Sequence, residues 1–258
     1  MSDGESRPPL DFTGRRVLVT GGSRGIGAAI ACRFAEAGAE VVVGYRENEA
    51  AALATVRTIE GRGGKARAFR ANLVRPEEAR ALVAEAGASG ALDVLVHSAA
   101  LGSFKPALEV RPNQWDLTLG VNARAFLTAA QAAAELFPAE GGRIVAISSL
   151  GSARVVPEYG AIGPSKAALE ALVRSLAVEL GPRGVTVNAV SAGVVDSETI
   201  RAHPHADRLL AAALDRTPAG RLASPGDVAS VVLFLASPLA AFVTGQTVVV
   251  DGGMSLSL

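Results

Sequence analysis

The sequence has almost no cysteine. Cys32 is the only one among 258 residues, which excludes an intrachain disulfide and a cysteine-based metal site. Its neighbours form an alanine-rich helical pattern, in which a cysteine is typical of a small buried hydrophobic position. We therefore expect Cys32 to be structural, and we expect no bound metal.

An excess of charge of either sign is also absent. Lys plus Arg and Asp plus Glu number 25 each. A protein that binds nucleic acid usually carries a basic surplus, so we expect no nucleic-acid partner. Hydrophobic residues make up 49% and charged residues 19% of the chain, which is enough apolar material for a substantial core.

Long hydrophobic runs are missing as well. The first nine residues are polar and lack the apolar stretch of a signal peptide. The most apolar late segment, residues 231–243, is too short to span a bilayer and is interrupted by Ser237 and Pro238. The sequence predicts a soluble cytoplasmic protein with no membrane partner, beginning with a flexible tail over residues 1–12.

Short β-branched runs alternate with alanine- and leucine-rich stretches along the rest of the chain. The runs are almost continuously apolar, as is typical of parallel strands covered on both faces. We predict strands at residues 16–20, 40–45, 66–70, 94–97, 143–149, 186–190 and 247–250. This alternation predicts an α/β fold with a doubly wound parallel sheet in one domain, residues 13–258. Residues 196–220 contain no clear strand and are predicted to form a helical lid over a site.

A glycine-rich turn follows the first predicted strand. Residues 21–27 read Gly-Gly-Ser-Arg-Gly-Ile-Gly and lead into a helix predicted from Ala28. Glycines permit a tight turn and a close backbone approach, and the N-terminus of a helix offers N–H groups and a positive dipole end to a pyrophosphate. The turn therefore predicts a dinucleotide cofactor at the first strand-to-helix connection.

The end of the second predicted strand indicates which dinucleotide is used. NAD calls for an acidic residue there to bind the ribose 2′-hydroxyl, but the strand ends at Tyr45-Arg46 and the first acid is Glu47. Arg24 and Arg46 instead offer two cations for a 2′-phosphate, although Glu47 is placed to pair with Arg46. The sequence favours NADPH over NADH.

Tyrosine is another rare residue, present only at positions 45 and 159. Tyr159 follows the predicted strand 143–149 and stands seven positions before Lys166. An ammonium close to a phenol favours the phenolate and lowers the pKa of the phenol. The pair is therefore a candidate acid for catalysis at neutral pH.

With these features the chain resembles the short-chain dehydrogenase/reductase family over nearly its whole length. The resemblance rests on the glycine turn, on Asn122, Ser149, Tyr159 and Lys166, and on two later segments. Those segments are 188–193, Asn-Ala-Val-Ser-Ala-Gly, and 244–253, which contains Thr-Gly-Gln and Val-Asp-Gly-Gly. The resemblance implies a single Rossmann-type domain with about seven mostly parallel strands, helices on both faces and, commonly, a homotetramer.

Within that family the chain is similar to the NADPH-dependent enoyl-acyl-carrier-protein reductase III group. The similarity rests on residues 147–152, Ile-Ser-Ser-Leu-Gly-Ser, on 165–170, Ser-Lys-Ala-Ala-Leu-Glu, and on 217–221, Thr-Pro-Ala-Gly-Arg. That group has the seven-residue spacing from tyrosine to lysine. The usual family tyrosine lies four residues before the lysine, and the residue there is Ile162, which cannot donate a proton.

The resemblance implies roles for particular residues. Tyr159 would donate to the substrate oxygen, Lys166 would lower its pKa and bind the nicotinamide ribose, and Ser149 would assist. Asn122 would anchor water and backbone near Lys166. The implied cofactor-binding residues, most of which follow the strands, are Gly21, Ser23, Arg24, Gly25, Ile26, Gly27, Tyr45, Arg46, Asn72, Leu73, Ser98, Ala99, Ala100, Lys166, Ala192, Gly193, Val195 and Ser197.

Three segments depart from the usual family pattern. Residues 97–100 read His-Ser-Ala-Ala where Asn-Asn-Ala-Gly is usual, Ala192-Gly193 replaces Pro-Gly, and Asn72 replaces Asp. None of these changes removes a catalytic group, but His97 and Ser98 alter the support of the cofactor loop. We predict that His97 is a hydrogen-bonded residue at a strand end rather than an acid or base.

The spacing also indicates which bond is reduced. In an enoyl thioester the hydride goes to C3 and charge develops on the thioester oxygen, so the donor must stand farther away than for a ketone. Moving a tyrosine three residues back along a helix shifts it about 4.5 Å along the axis, which suits an enoyl thioester of acyl carrier protein or coenzyme A. Gly160, Gly163 and Pro164 leave open whether regular helix includes Tyr159, because a proline is comfortable only in a first turn. Two alternatives remain. One is a carbonyl reductase acting on 3-oxoacyl thioesters or a secondary metabolite, and the other is an NADPH-sensing protein without turnover.

Overall fold

The computed structural model describes residues 10–201 and 205–256, in which strands alternate with helices. The strands are β1 (Arg16–Thr20), β2 (Glu40–Tyr45), β3 (Lys65–Arg70), β4 (Val94–His97), β5 (Arg143–Ser149), β6 (Thr186–Ala192) and β7 (Thr247–Val250). The α-helices are α1 (Gly25–Glu36), α2 (Glu49–Glu60), α3 (Pro76–Ala86), α4 (Pro112–Leu119), α5 (Ala125–Ala134), α6 (Ile162–Leu180), α7 (Glu198–Arg201), α8 (Ala206–Asp215) and α9 (Pro225–Ala236). A π-helical turn, Gly120–Arg124, joins α4 to α5.

One parallel sheet of seven strands organises these elements. The strand order is β3-β2-β1-β4-β5-β6-β7, and β1 pairs in parallel with both β2 and β4. The order reverses between β1 and β4, so the chain leaves these two neighbouring strands in opposite directions. A crevice opens at such a switch point, outside the carboxyl ends of the strands, and doubly wound folds bind their ligands there.

Apolar side chains on both faces of the sheet hold the helices. Alternate residues of a strand point to opposite faces, so Leu18 joins one buried cluster while Val17 and Val19 join the other. Helices α3, α5 and α6 cover the first face, and α1, α2 and α9 cover the second. Burial of apolar surface on both faces is the main contribution to the stability of the fold. It also fixes the positions of the strand ends at the carboxyl edge of the sheet.

The predicted α/β fold is confirmed, with three shifted boundaries. β3 begins one residue earlier than predicted, at Lys65. β6 continues to Ala192, which pairs with Ser149 and Val250, because an alanine keeps the backbone N–H that the usual proline lacks. α1 begins at Gly25 rather than at Ala28, since the last residues of the glycine turn already form its first turn.

Phe12 corrects the predicted extent of the N-terminal tail. Its side chain is buried against Phe34, with ring centroids 5.1 Å apart, and its N–H donates to the carbonyl of Ala37 at 2.7 Å. The tail therefore does not include Phe12, and residues 1–9 lie outside the described part. The predicted lid, residues 196–220, contains α7 and α8, while residues 202–204 also lie outside the described part.

Within the two described ranges, no helix is both long and apolar enough to cross a membrane. The same residues contain no group of three or more His, Cys, Asp or Glu side chains arranged to hold a metal ion.

Candidate active site

The predicted site residues converge on the carboxyl edge of the sheet, because all seven strands are parallel. The glycine turn follows β1, Arg46 follows β2, Ser98 follows β4 and Ser149 ends β5. We call the region around the ends of β1, β2 and β3 the cofactor half. The region of β4, β5 and the start of α6 is the acid half, and the switch point lies between the two.

The glycine turn is packed too tightly for side chains at two positions. A Cβ on Gly27 would lie 2.1 Å from the carbonyl oxygen of Gly21, and one on Gly21 would lie 2.7 Å from the Cα of Ala99. The connections after β1 and β4 therefore touch at the switch point. The residue that precedes α1, Arg24, makes no side-chain capping bond, so the first N–H groups of the helix remain available to an anion. This arrangement fits a dinucleotide pyrophosphate.

Thr20 links the two connections, a role that the sequence did not indicate. Its Oγ1 accepts from the N–H of Ala99 at 3.2 Å and lies 3.1 Å from Nδ1 of His97. Burial, together with the positive charge of Lys166, lowers the pKa of His97 to about 3. The imidazole is therefore neutral at pH 7. His97 is a hydrogen-bonded residue at the end of β4, as predicted. Threonine is common in strands, so Thr20 carried no signal of its own.

An ion pair and hydrogen bonds connect the residues around the end of β2. Nη2 of Arg46 lies 3.0 Å from Oε1 of Glu47, which is the pairing that the sequence left open. Both side chains are exposed, so the pair is weak. The hydroxyl of Tyr45 donates to Oε1 of Glu49 at 3.2 Å. Arg70, at the end of β3, donates from Nε to the carbonyl of Arg46 at 3.1 Å and adds a cation that the sequence reasoning did not include.

The remaining predicted cofactor residues lie in connections after strands. Oδ1 of Asn72 accepts from the N–H of Val74 at 3.2 Å, so this side chain shapes the turn that contains Leu73. Val195 forms an isolated bridge with Ala223, which holds together the two ends of the segment containing α7 and α8. The residues at and after the end of β6 are Ala192, Gly193, Val195 and Ser197.

Tyr159 lies before helix α6 and not within it. The helix begins at Ile162, and Tyr159 forms an isolated parallel bridge with Lys105. The question left open by the sequence is therefore decided: Tyr159 is not in regular helix, and a displacement of three residues along a helix does not describe its position. Pro164 is the physical reason, because a proline is comfortable only in the first turn and so fixes where regular helix can start.

The pKa of Tyr159 also differs from expectation. Burial raises this pKa above its ordinary value, and a hydrogen bond with Ser149 lowers it by less. The expectation that Lys166 holds the pKa of Tyr159 low is therefore wrong. Its ammonium instead bonds the backbone of β5, and burial disfavours the phenolate. Ser149 has a second role as a cap, since its Oγ accepts from the N–H of Gly151 at 3.3 Å.

Lys166 is buried between α6 and the sheet. Its Nζ donates to the carbonyl of Ile147 at 2.7 Å. Burial lowers the pKa of Lys166 from 10.5 to about 8, and the carboxylate of Glu170 opposes this shift. Glu170 in turn accepts from the hydroxyl of Ser148 at 2.5 Å. The ammonium is still largely protonated at pH 7, and an ammonium has three N–H donors, so it can also bond a cofactor ribose.

Asn122 ties the π-helical turn to the connection after β4. Its Oδ1 accepts from the N–H of Leu101 at 2.8 Å, and its Nδ2 donates to the carbonyl of Leu101 at 3.0 Å and to Oγ of Ser165 at 2.8 Å. Ser165 precedes Lys166 on α6. The buried amide therefore connects the backbone of Leu101 with the side chain of the residue next to the lysine. Ser165 is a further supporting residue that the sequence reasoning missed.

Known proteins resemble the chain over almost its whole length. A family model described as Enoyl-(Acyl carrier protein) reductase matches residues 21–255. The chain is 40% identical over 242 residues to the 1-cyclohexenylcarbonyl-CoA reductase of Streptomyces collinus, covering 93% of this chain and 86% of that protein. It is 35% identical to the 3-oxoacyl-[acyl-carrier-protein] reductase of Staphylococcus aureus, covering 93% and 98% of the two chains. The solved structure of a short chain dehydrogenase from Burkholderia cenocepacia in complex with NADP matches with a TM-score of 0.88 at 38% identity, covering 96% of this chain and 100% of the other.

Proposed function

The chain belongs to the short-chain dehydrogenase/reductase family and is an NAD(P)-dependent oxidoreductase, and from this premise we propose that it reduces the 2,3 double bond of an enoyl thioester with NADPH. The position of the acid carries the proposal. Tyr159 lies near enough to Ser149 for that hydroxyl to lower its pKa, while the usual tyrosine position is occupied by Ile162. The Streptomyces relative supports it, since 1-cyclohexenylcarbonyl-CoA has a double bond conjugated with its thioester.

Each catalytic residue has a task in this reaction. The bound cofactor supplies the hydride that C3 receives. Burial keeps Tyr159 a neutral phenol at pH 7, so its hydroxyl can donate to the thioester oxygen on which charge develops. Ser149 stabilises the phenolate by donating a hydrogen bond to it. Lys166 places a positive charge in the acid half, where the developing charge is negative.

NADPH is the cofactor that the basic residues favour. Arg24 and Arg46 lie at the start of α1 and the end of β2, where a 2′-phosphate would be bound. Arg46 is paired with Glu47, and a phosphate would have to replace this carboxylate as its partner. Because the pair is exposed, its loss costs little, so NADPH binding remains favourable.

We further propose that the protein acts in the cytoplasm, in fatty acid or related lipid synthesis, on a thioester of acyl carrier protein or coenzyme A. We also propose a homotetramer. Several large apolar side chains support self-association because they are almost wholly exposed in the single chain; they are Leu108, Val155 and Phe242.

A carbonyl reductase that acts on 3-oxoacyl thioesters is the second candidate. The Staphylococcus aureus relative favours it, and a hydroxyl held by Ser149 would also serve a ketone. An NADPH-sensing protein is the remaining possibility, and absence of turnover distinguishes it from both enzymes.

Oxidation of NADPH with two thioesters tests the proposal. The pair should be an enoyl and a 3-oxoacyl thioester of equal chain length on the same carrier. We expect kcat/KM to be at least tenfold higher for the enoyl thioester, which is about 1.4 kcal/mol of transition-state stabilisation. A higher value for the 3-oxoacyl thioester would establish the second candidate. No turnover with either would point to a sensor.

A further inference from the structure

Tyr159 is held by a loop that follows β4. The N–H of Lys105 donates to the carbonyl of Glu158 at 2.6 Å, and the N–H of Gly160 donates to the carbonyl of Lys105 at 2.9 Å. These two bonds fix the backbone of the residues before and after Tyr159. The N–H and carbonyl of Tyr159 itself bond locally, to Val156 and Gly163. The loop therefore adds contacts from a distant segment to the two residues that flank the tyrosine.

The same loop also contacts the ring of Tyr159. The ring centroids of Phe104 and Tyr159 are 5.7 Å apart, with an interplanar angle of 49°, which is a favourable arrangement for an aromatic pair. The loop thus touches both the backbone and the side chain of the proposed acid.

The other end of the loop is fixed to the acid half. Leu101 uses both its N–H and its carbonyl to bond the buried amide of Asn122. Next to it, the backbone of Gly102 lies against Ile162, since a Cβ on Gly102 would be 2.3 Å from Cγ1 of that side chain. The residue at the usual tyrosine position therefore packs against the loop that holds Tyr159.

Glu158 shows that this arrangement is imposed by its surroundings. It has φ of 61° and is the one non-glycine residue with positive φ in the described ranges. A conformation of this kind persists only where neighbouring contacts determine it, and such residues cluster at functional sites. The bond from Lys105 to the carbonyl of Glu158 is a contact of that kind.

We propose that residues 101–106, which we call the positioning loop, place the hydroxyl of Tyr159 for the acid step. Lys105 and Phe104 are positioning residues that act through Tyr159. The inference rests on the proposed function, because it explains how a tyrosine outside the helix serves as the acid.

Gly160→Ala tests the backbone contacts between the positioning loop and the residues that flank Tyr159. A Cβ there would lie 2.6 Å from the Cα of Ala107 and 2.8 Å from the carbonyl oxygen of Lys105, and backbone atoms cannot easily move aside. We expect kcat with an enoyl thioester to fall at least about tenfold, since a misplacement of ~1 Å can cost two orders of magnitude. The Kd of NADPH should stay within about twofold, because the variant touches no residue of the cofactor half.

Gly181→Ala is the matched control. Nothing lies within 4 Å of the added Cβ, and the backbone there is right-handed helical. This variant should keep the wild-type kcat and the wild-type Kd of NADPH.

A spectroscopic titration gives a readout that does not depend on turnover. In a Tyr45→Phe background position 159 holds the only tyrosine, so labelling with 3-fluorotyrosine yields a single ¹⁹F signal whose pH dependence reports this phenol. Gly160→Ala should lower its pKa relative to the parent, because a displaced ring is less buried. Circular dichroism across the same pH range confirms that the protein stays folded.

Phe104→Ala tests the contact between the rings of Phe104 and Tyr159. It also replaces Gly160→Ala as the test of the proposal if that variant does not fold. It should lower kcat by about threefold to tenfold, as expected for loss of positioning rather than of the acid itself, and shift the ¹⁹F titration in the same direction. Phe104→Tyr keeps the ring and should restore kcat, and it is used in the kinetic measurement alone because it adds a tyrosine.

Unchanged kcat and an unchanged ¹⁹F titration in the folded variants would overturn the proposal. A shifted titration would support it even if no form of the protein, wild type included, reduces an enoyl thioester. In that case the loop positions Tyr159 and the proposed function alone fails.

Discussion

The cofactor half and the acid half of the sheet edge differ in how much of each is contained in one short segment. In the cofactor half, Gly27 lies against Gly21 and Arg46 pairs with its neighbour Glu47. Arg70 and Ala99 reach this half from farther along the chain. In the acid half, the partners come from distant parts of the chain: Lys105 with Tyr159, Leu101 with Asn122, and Ile147 with Lys166. The glycine turn of the cofactor half is one motif of seven residues, whereas Tyr159 and Lys166 owe several of their contacts to distant segments.

This difference separates the effects that variants should have. Changes in the cofactor half should alter affinity and the choice between NADPH and NADH. Changes in the acid half should alter kcat and its pH dependence. Changes at Lys166 should affect both affinity and kcat, since Lys166 lies in the acid half and is expected to bond the cofactor ribose.

The largest effect is expected from Lys166→Met, which keeps the buried stem and removes the ammonium. We expect kcat to fall by at least about 10²-fold and NADPH to bind more weakly, so both halves should respond. Kinetics and a cofactor titration measure the two effects. If the variant lost only kcat or only NADPH affinity, Lys166 would serve only the acid half or only the cofactor half.

The same variant should gain stability. The pKa of Lys166 in the folded protein, about 8, lies below its ordinary 10.5, so at pH 7 its charge opposes folding. Removing it should raise the free energy of unfolding in urea by on the order of 1 kcal/mol, even after the hydrogen bond to Ile147 is lost. A clearly less stable variant would mean that its inactivity reflects structural damage.

Arg24→Ala should act on the cofactor half. We expect wild-type protein to bind NADPH at least tenfold more tightly than NADH, which needs about 1.4 kcal/mol from a charge-assisted phosphate contact. The variant should close most of this gap while its Kd for NADH changes little. Titrations with both cofactors decide the matter, and equal weakening for the two would assign Arg24 a structural role at the start of α1.

Glu170→Gln should act on the acid half by changing a pH profile. The Glu170 carboxylate raises the pKa of Lys166 against the larger effect of burial. If the ammonium is required, kcat/KM should fall as pH rises through about 8, and the variant should lose activity at lower pH than wild type. At pH 8 the loss should be roughly twofold. Glu179→Gln, an exposed change on the same helix, should leave the profile in place, and an unshifted profile for Glu170→Gln would contradict this role.

Glu47→Gln should produce the smallest effect. It frees Arg46 from a pair worth about 0.2–1 kcal/mol, so NADPH should bind about twofold to threefold more tightly while NADH is unaffected. Glu60→Gln removes another exposed acid, from α2, and controls for net charge. Equal gains in both variants would show a general electrostatic effect rather than release of Arg46.

The fold was predictable because its signals are local. Each strand is an apolar run bounded by its own turns, and the glycine turn is contained in seven residues. The end of β6 was missed because Ser191 and Ala192 are not β-branched or aromatic, and they are strand only through pairing with Ser148 and Ser149. Phe12 was assigned to the tail because its partner, Phe34, lies on α1.

The candidate site was predictable in its residues more than in its geometry. The resemblance pointed to Tyr159, Lys166, Ser149 and Asn122, and the structure brings Ser149 to Tyr159. The helical placement of Tyr159 was wrong because α6 starts only at Ile162, close to Pro164. Its pKa was expected to be lowered, but burial raises it. The bridge from Tyr159 to Lys105, in the positioning loop, was not predicted either. That loop has no periodic pattern from which its partner could be read.

The acid role of Tyr159 is the central claim, and kcat for enoyl reduction by Tyr159→Phe is its most direct test. We expect a fall of at least about 10²-fold with the Kd of NADPH nearly unchanged, because the hydroxyl stabilises charge that exists only after hydride transfer has begun. If Tyr159→Phe keeps full enoyl activity, Tyr159 is not the acid and the seven-residue spacing to Lys166 has another cause.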